Sequence, residues 1–327
     1  MSRERLLNAL LLAGLVVVPG WALWADEPFT ITLATRAVIF ALAAVGLNIA
    51  LGMGGLVSLG HAVFFGIGGY AMGVLASHAQ SYTPLYDGLF TLEGTKAMPV
   101  IWLVAAAASA LAAWLIGLLS LRTSGVYFIM ITLAFGQMAY FFAISWPAYG
   151  GEDGLSIYVR NGFPGLNTLD PIQFYGICLA WLCLALWGHA RLRRSPFGLA
   201  LDAARQVPAR VQAVGLDPKR LYLVALVISG AVTGLSGALF ADLNRFVSPS
   251  MLSWQMSGEI MVFVIIGGVA RLFGPVVGAV FYVALEHWLG GVSDYWQIIL
   301  GVVLLAVVLF GRGGLIGLVC GKERPDA

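Results

Sequence analysis

Charge is what this chain has least of. Of 327 residues, 18 are Lys or Arg and 16 are Asp or Glu, 10% in all, while 60% are hydrophobic. Soluble globular domains hold about 25% charged residues, so the composition excludes an ordinary soluble enzyme. A net charge of +2 says little about partners, since the distribution of charge rather than its sum carries the information, and no nucleic-acid reading follows from it. Cysteine is nearly absent: Cys178, Cys183 and Cys320 form an odd set without metal-ligand spacing. The first two would not face each other on one helix, and all three read as packing thiols. No GxxxxGK[ST] phosphate loop occurs, so the chain does not bind a nucleotide in the P-loop manner. His61 has no second ligand at useful spacing for zinc. Ser58 and His61 are the one candidate pair for intramembrane catalysis, and no third group orients them.

What the chain does have is long apolar runs. A helix needs about 20 apolar residues to cross a hydrocarbon core, and 6–24, behind Arg3 and Arg5, is long enough. A cleavable signal peptide is the rival reading, but Leu23 and Trp24 spoil the only A-x-A-like site, before Ala25. Further runs at 31–51, 52–75, 100–121, 125–146, 171–189, 221–241 and 295–310, with two more in the interrupted stretch 244–291, bring the count to ten. Lys and Arg mark loops that stay inside. With both termini inside, Arg3, Arg5, Arg122, Arg271, Arg312, Lys322, Arg324 and seven residues of 191–220 fall in the cytoplasm, fourteen of the eighteen bases. Asp26, Glu27, Asp87, Glu93, Glu152, Asp153, Asp170, Asp242 and Asp294 fall outside. The reading is a single all-α domain over 1–327. It is a polytopic integral membrane protein of about ten transmembrane helices with glycine-interrupted segments, both termini cytoplasmic, and a polar, turn-rich loop of 22 residues, 149–170, outside.

Two stretches stand out from this background. Residues 191–220, RLRRSPFGLALDAARQVPARVQAVGLDPKR, are the one long polar island, with seven bases against Asp202 and Asp217. Ser195-Pro196 signals a helix start, Pro208 begins and Gly215 ends a second short helix, and Asp217-Pro218 starts the next long one. Ala209, Val211, Ala213 and Val214 suit a groove on a partner; a plain solvated loop is the alternative. The second stretch, GMGGLVSLGHAVFFGIGGYAMGVL at 52–75, is rich in glycine, which lets helices approach closely in lipid or breaks a helix beside a cavity. Gly267-Gly268 and Gly274-Pro275 interrupt a later run in the same way. Asn48, Gly55, Ser58, His61, Gly267 and Gly268 are therefore the candidate translocation-path residues, since polar groups and irregular backbone at membrane depth face the bundle interior or a wet pathway. Gly230, Gly234, Gly237 and Ala238 form a small-residue packing seam.

Three blocks together carry a resemblance: GLNIALGMGGLVSLGHAVFFGIGGYAMGVL, LRTSGVYFIMITLAFGQM, and SPFGLALDAARQVPARVQAVGLDPKRLYLVALVISGAVTGLSGALFA with the later IIGGVARLFGPVVGAVF. They resemble the branched-chain amino acid permease family of bacterial ABC importers, specifically the longer of its two paired permease subunits, from about residue 38 to 317. The resemblance implies a multi-pass subunit of the bacterial inner membrane. It implies a homologous permease partner in a heterodimer, two cytoplasmic ATPase subunits that use ATP and Mg, and a periplasmic substrate-binding protein, with no cofactor in this chain. It also implies that the loop with an A-x-G ending is the element that couples to the ATPase, here Arg205, Pro208, Arg210, Ala213 and Gly215. Branched-chain or other hydrophobic amino acids are the expected substrates, although relatives carry urea, short amides or aromatic acids, and no residue decides among them. Two other classes stay open. A secondary transporter needs ion-coupling groups in mid-membrane, whereas Arg36, Glu259 and Glu286 lie near outer ends. A passive channel would show uptake independent of ATP.

Overall fold

The computed structural model describes residues 3–25, 27–86, 92–291, 295–310 and 313–320. The chain runs α1 (Arg3–Trp24), α2 (Pro28–Asn48), a wide π-helical turn (Ile49–Met53), α3 (His61–Ser81), α4 (Met98–Ser120), α5 (Val126–Ile144), α6 (Pro171–Arg193), α7 (Pro196–Gln206), α8 (Pro208–Ala213), α9 (Pro218–Asn244), α10 (Trp254–Gly267), α11 (Gly274–Gly290), α12 (Trp296–Phe310) and α13 (Gly314–Cys320). Among the described residues, six helices are long and apolar enough to cross a membrane: Pro28–Met53, His61–Ser81, Met98–Ser120, Val126–Ile144, Pro171–Arg193 and Pro218–Asn244. The chain is a multi-pass membrane protein. Helices also stand at the other four expected places, as α1, α10, α11 and α12. Of these, α10 has 14 residues, α11 has 17 and α12 has 15. At a 1.5 Å rise they reach about 21, 25 and 22 Å against a core of about 30 Å, so the three are short for a full crossing. Asp26, Asp87, Asp294, Arg312, Lys322 and Arg324, all used in the charge count, lie outside the described residues.

Local signals place most helix starts. Asp170, Ser195, Asp217 and Ser253 each sit in extended backbone and accept a bond from a first-turn N–H of α6, α7, α9 and α10, supplying an acceptor for one of the orphan donors. Proline opens seven of the helices at their first or second residue, where its missing N–H costs nothing. The helix α2 is apolar on every side, and from Ala37 to Met53 every residue is buried. Such a helix has to be the central strut of a bundle, and α6, α9, α10 and α11 all pack on it.

Glycine sets how close the helices come. A Cβ at Gly68 would lie 1.8 Å from the Gly234 carbonyl oxygen, and one at Gly237 would lie 1.8 Å from that of Phe65, so α3 and α9 cross backbone to backbone. Across the other side of α9, Gly234 meets the Ser109 side chain and Gly230 meets Ala113 of α4. The seam read from the sequence is therefore the α3–α9–α4 contact. Loops gather at the two ends of the bundle. At one end lie α7 and α8. At the other, two small antiparallel ladders form, β1 (Pro84–Tyr86) with β2 (Leu92–Glu93), and β3 (Leu155–Ser156) with β4 (Phe246–Val247). Strands were not expected from the sequence; both pairs are two or three residues long and close loops rather than build a layer.

Candidate functional site

The candidate residues converge at the island end of the bundle. There α2 widens into the turn Ile49–Met53 and stops at Gly54-Gly55. Gly55 has φ +69°, a left-handed conformation that a side chain disfavours. The space above it is taken as well, because an added Cβ would lie 2.9 Å from Cγ of Arg205. Arg205 comes from the last turn of α7, inside the polar island. Its Nη1 donates to the Gly52 carbonyl oxygen at 2.5 Å, and its Nη2 lies 3.5 Å from Asp202 Oδ1. The island and the glycine break, found separately in the sequence, are one contact.

Asn48 carries the contact onward. It is fully buried, its Nδ2 donates to the Arg271 carbonyl oxygen at 2.9 Å, and its Oδ1 accepts from the Ala270 N–H at 3.1 Å. Those two residues form the turn between α10 and α11. The same turn holds Gly268 at φ +116°, and Gly267 lies so close to α11 that a Cβ on it would overlap the Gly274 carbonyl, at 1.6 Å. A side chain on Gly314, at the start of α13, would meet the Gly268 nitrogen at 2.4 Å. Asn48 thus bolts the α2 break to the α10–α11 turn, joining the two glycine interruptions of the sequence. The Arg193 Nη1 reaches the Ala270 carbonyl at 3.4 Å from the end of α6.

His61 and Ser58 sit deeper. His61 is fully buried, with Nε2 2.8 Å from Ser229 Oγ on α9. Ser229 gives its one hydroxyl proton to the Gly46 carbonyl oxygen at 2.5 Å, so the His61 ring must be the donor, with its proton on Nε2. The residue ties α3 to α9 and α2, and its Nδ1 has no partner among the described residues. Beside it, Ser257 Oγ accepts from the Ala62 N–H at 2.9 Å, tying in α10. Ser58 is buried and accepts from the Gly60 N–H. Of the six path candidates, Gly55 alone is exposed; the other five are packed inside the chain. Ser229 and Ser257 were missed in the sequence because a hydroxyl in an apolar run carries no charge or spacing signal.

Across the island, α8 stands out from the bundle. Val211 is its one buried residue, while Pro208, Arg210, Ala213 and Gly215 are exposed and Val214 is 81% exposed. Val211 anchors α8 to the bundle instead of joining the apolar outer surface as expected. Tyr222 Oη, on α9, donates to the Ala204 carbonyl at 2.8 Å and holds α7.

The opposite end has a polar knot of its own. Arg160 donates from Nε to the Asp242 carbonyl, from Nη2 to that of Leu243 and from Nη1 to that of Thr168, closing the end of α9. Burial lowers its pKa from the ordinary arginine value, against the nearby Asp242 charge and with that of Arg245. Asp242 Oδ1 accepts from the backbone and side-chain N–H groups of Asn161. Arg36 pairs with Glu286 at 3.0 Å between α2 and α11, so these two ionisable groups neutralise each other.

Comparison with known proteins decides the family. Residues 29–308 match the family described as "Branched-chain amino acid transport system / permease component". The chain belongs to this family. The permease is 28% identical over 94% of its length to "High-affinity branched-chain amino acid transport system permease protein LivM" of Escherichia coli (strain K12), covering 74% of that protein. The LivM protein of Salmonella typhimurium matches to the same extent. A "Probable branched-chain amino acid transport permease protein LivH" of Methanocaldococcus jannaschii is 23% identical over 38% of the chain and 42% of its own length. No solved structure matches the permease. Membership identifies a transport-system permease component, not an enzyme.

Proposed function

We propose that this chain is the permease subunit of a binding-protein-dependent ABC importer for branched-chain or other hydrophobic amino acids, set in the bacterial inner membrane. It works as a heterodimer with a homologous permease, receives substrate from a periplasmic binding protein and docks two cytoplasmic ATPase subunits. ATP and Mg belong to those subunits, and this chain needs no cofactor of its own. The relatives' printed substrate, branched-chain amino acids, supports the substrate class.

The observation that carries the coupling role is the Arg205–Gly52 bond. In this reading an ATPase grips the exposed face of α8, at Pro208, Arg210, Ala213 and Gly215, and its movement carries α7. Arg205 transmits that displacement to the wide turn after α2, and Asn48 transmits it to the α10–α11 turn at Gly267-Gly268. A hydrogen bond to a charged group is worth about 1.5–3 kcal/mol, enough to bias two bundle arrangements when it differs between them. The six path residues then act as the hinge of the opening, and the opening itself lies on the face toward the partner permease. In this reading the chain crosses about ten times with both termini in the cytoplasm, so that α7 and α8 lie on the ATPase side.

The test is reconstitution of the complete complex in proteoliposomes. Leucine uptake requires both ATP on the ATPase side and the binding protein. Uptake driven by an ion gradient without ATP, or simple equilibration of leucine, contradicts the reading.

A further inference from the structure

The outward stripe of α6 ends in a feature that the transport reading leaves unused. Ala180, Leu184, Trp187, Arg191 and Arg194 follow one another at intervals of four and three residues, so they share one helix face, and all five are exposed. Toward the middle of the helix that face is apolar, with Leu184 51% and Trp187 63% exposed. At its island end it turns into two arginines. A concavity of about 430 Å³ opens there, lined by Trp187, Ala190, Arg191, Arg194 and Ser195. No acidic residue lines it, and among the described residues the ion pairs are Arg36–Glu286, Arg205–Asp202 and Arg220–Asp217. The two guanidinium groups therefore have no carboxylate among the described residues as a counter-charge.

We propose that this concavity is a binding site for the phosphate headgroup of an anionic phospholipid. Its acyl chains lie along Leu184 and Ala180, and its phosphate sits between Arg191 and Arg194. A guanidinium pair matches phosphate in geometry as well as charge, and two features fit a lipid better than a free ion. Tryptophan favours the headgroup level of a bilayer, where its ring is half in hydrocarbon. The apolar continuation of the same stripe gives the chains a place that a free anion does not need. Basic pockets beside membrane helices on the cytoplasmic side hold anionic headgroups for these reasons. The site lies at the junction of α6 and α7, so an occupied site steadies the base from which the island projects. The proposal rests on the membrane-spanning assignment of α6 and not on the identity of the transported solute.

The experiment uses the complete complex, delipidated in detergent, and measures binding of fluorescent phosphatidylglycerol and of fluorescent phosphatidylcholine. Saturable binding of phosphatidylglycerol, preferred over phosphatidylcholine, is expected. The Arg191→Ala/Arg194→Ala protein should bind it about 30-fold more weakly, from the loss of two interfacial cations. The Arg191→Lys/Arg194→Lys protein, which keeps the charge, should retain most of the affinity. That contrast separates lost charge from a misfolded helix. Excess inorganic phosphate should displace little of the lipid, and ATPase co-purification should be unchanged in both variants. Equal binding of the two lipids, unchanged binding in the alanine variant or complete displacement by phosphate would each overturn the proposal. Loss of ATPase association with lipid binding intact would also overturn it and assign the arginines to the ATPase contact.

Discussion

Arg205→Ala separates docking from transmission. Arg205 lies in the island, but it reaches back into the bundle and donates to Gly52 at 2.5 Å, with its side chain 38% exposed. A charge-assisted bond of this kind contributes about 1.5–3 kcal/mol when shielded. Partial exposure reduces that, because water competes for both groups, leaving about 1–1.4 kcal/mol. If the bond forms in only one of the two arrangements that transport alternates between, its loss shifts their ratio by about 5- to 10-fold. Removing the side chain also frees space over Gly55, where the Arg205 Cγ now stands 2.9 Å from the place a Cβ would take, so the wide turn gains freedom as well. Uptake per complex in proteoliposomes should therefore fall by about 5- to 10-fold in Arg205→Ala, with partial recovery in Arg205→Lys. ATPase co-purification should stay at the wild-type level, because the exposed face of α8 is untouched. Full uptake in Arg205→Ala would refute the transmission argument, and loss of ATPase association in step with uptake would make Arg205 a docking residue instead.

Three further expectations follow from the same geometry. Asn48→Ala removes the side-chain bonds to the half-buried Ala270 N–H and Arg271 carbonyl, each worth about 0.5–1.5 kcal/mol; the thermal unfolding midpoint of the purified permease should drop, and an unchanged midpoint would remove Asn48 as the bolt. Gly234→Ala drives a Cβ into the Ser109 side chain, whereas the Cβ of Gly14→Ala meets nothing within 4 Å, so immunoblots of membranes should show loss of the first protein and normal levels of the second. Single cysteines at Asp153 and Gln212 in a cysteine-free chain should react with an impermeant thiol reagent from opposite sides, and labelling of both from outside would break the topology.

Much of this architecture was legible because it rests on local rules. Ser195-Pro196, Pro208 with Gly215, and Asp217-Pro218 marked α7, α8 and the start of α9 through capping chemistry that acts over three or four residues, and the structure has those helices with Ser195 and Asp217 as caps. The small-residue seam was also visible, since Gly230 and Gly234 repeat at the spacing of one helix face. The long-range ties were not. That Arg205 would bend back to Gly52, 153 residues away, depends on where α2 ends relative to α7, which no single stretch encodes. The role of Val211 was misjudged for a related reason: in a helix of six residues an apolar side chain points outward or inward according to the neighbouring helix. His61 was singled out as polar at membrane depth, yet its partner Ser229 lies 168 residues on in a run that reads as plain packing. The lengths of α10 and α11 were hidden too, because glycine interruptions show where a run breaks without fixing how much of each half is helical.

The most direct test of the central claim, that the island is the seat of an ATPase, is the Ala213→Glu protein co-expressed with the ATPase subunits. Ala213 is exposed on α8, so in the isolated chain the new carboxylate stays in water and membrane levels should match wild type. Against a partner it becomes a buried, unpaired charge costing several kcal/mol. The account predicts loss of ATPase co-purification and of uptake together, while Ser156→Glu, on the loop at the opposite end, leaves association intact. Full association and full uptake in Ala213→Glu would contradict it and make 191–220 a solvated connector.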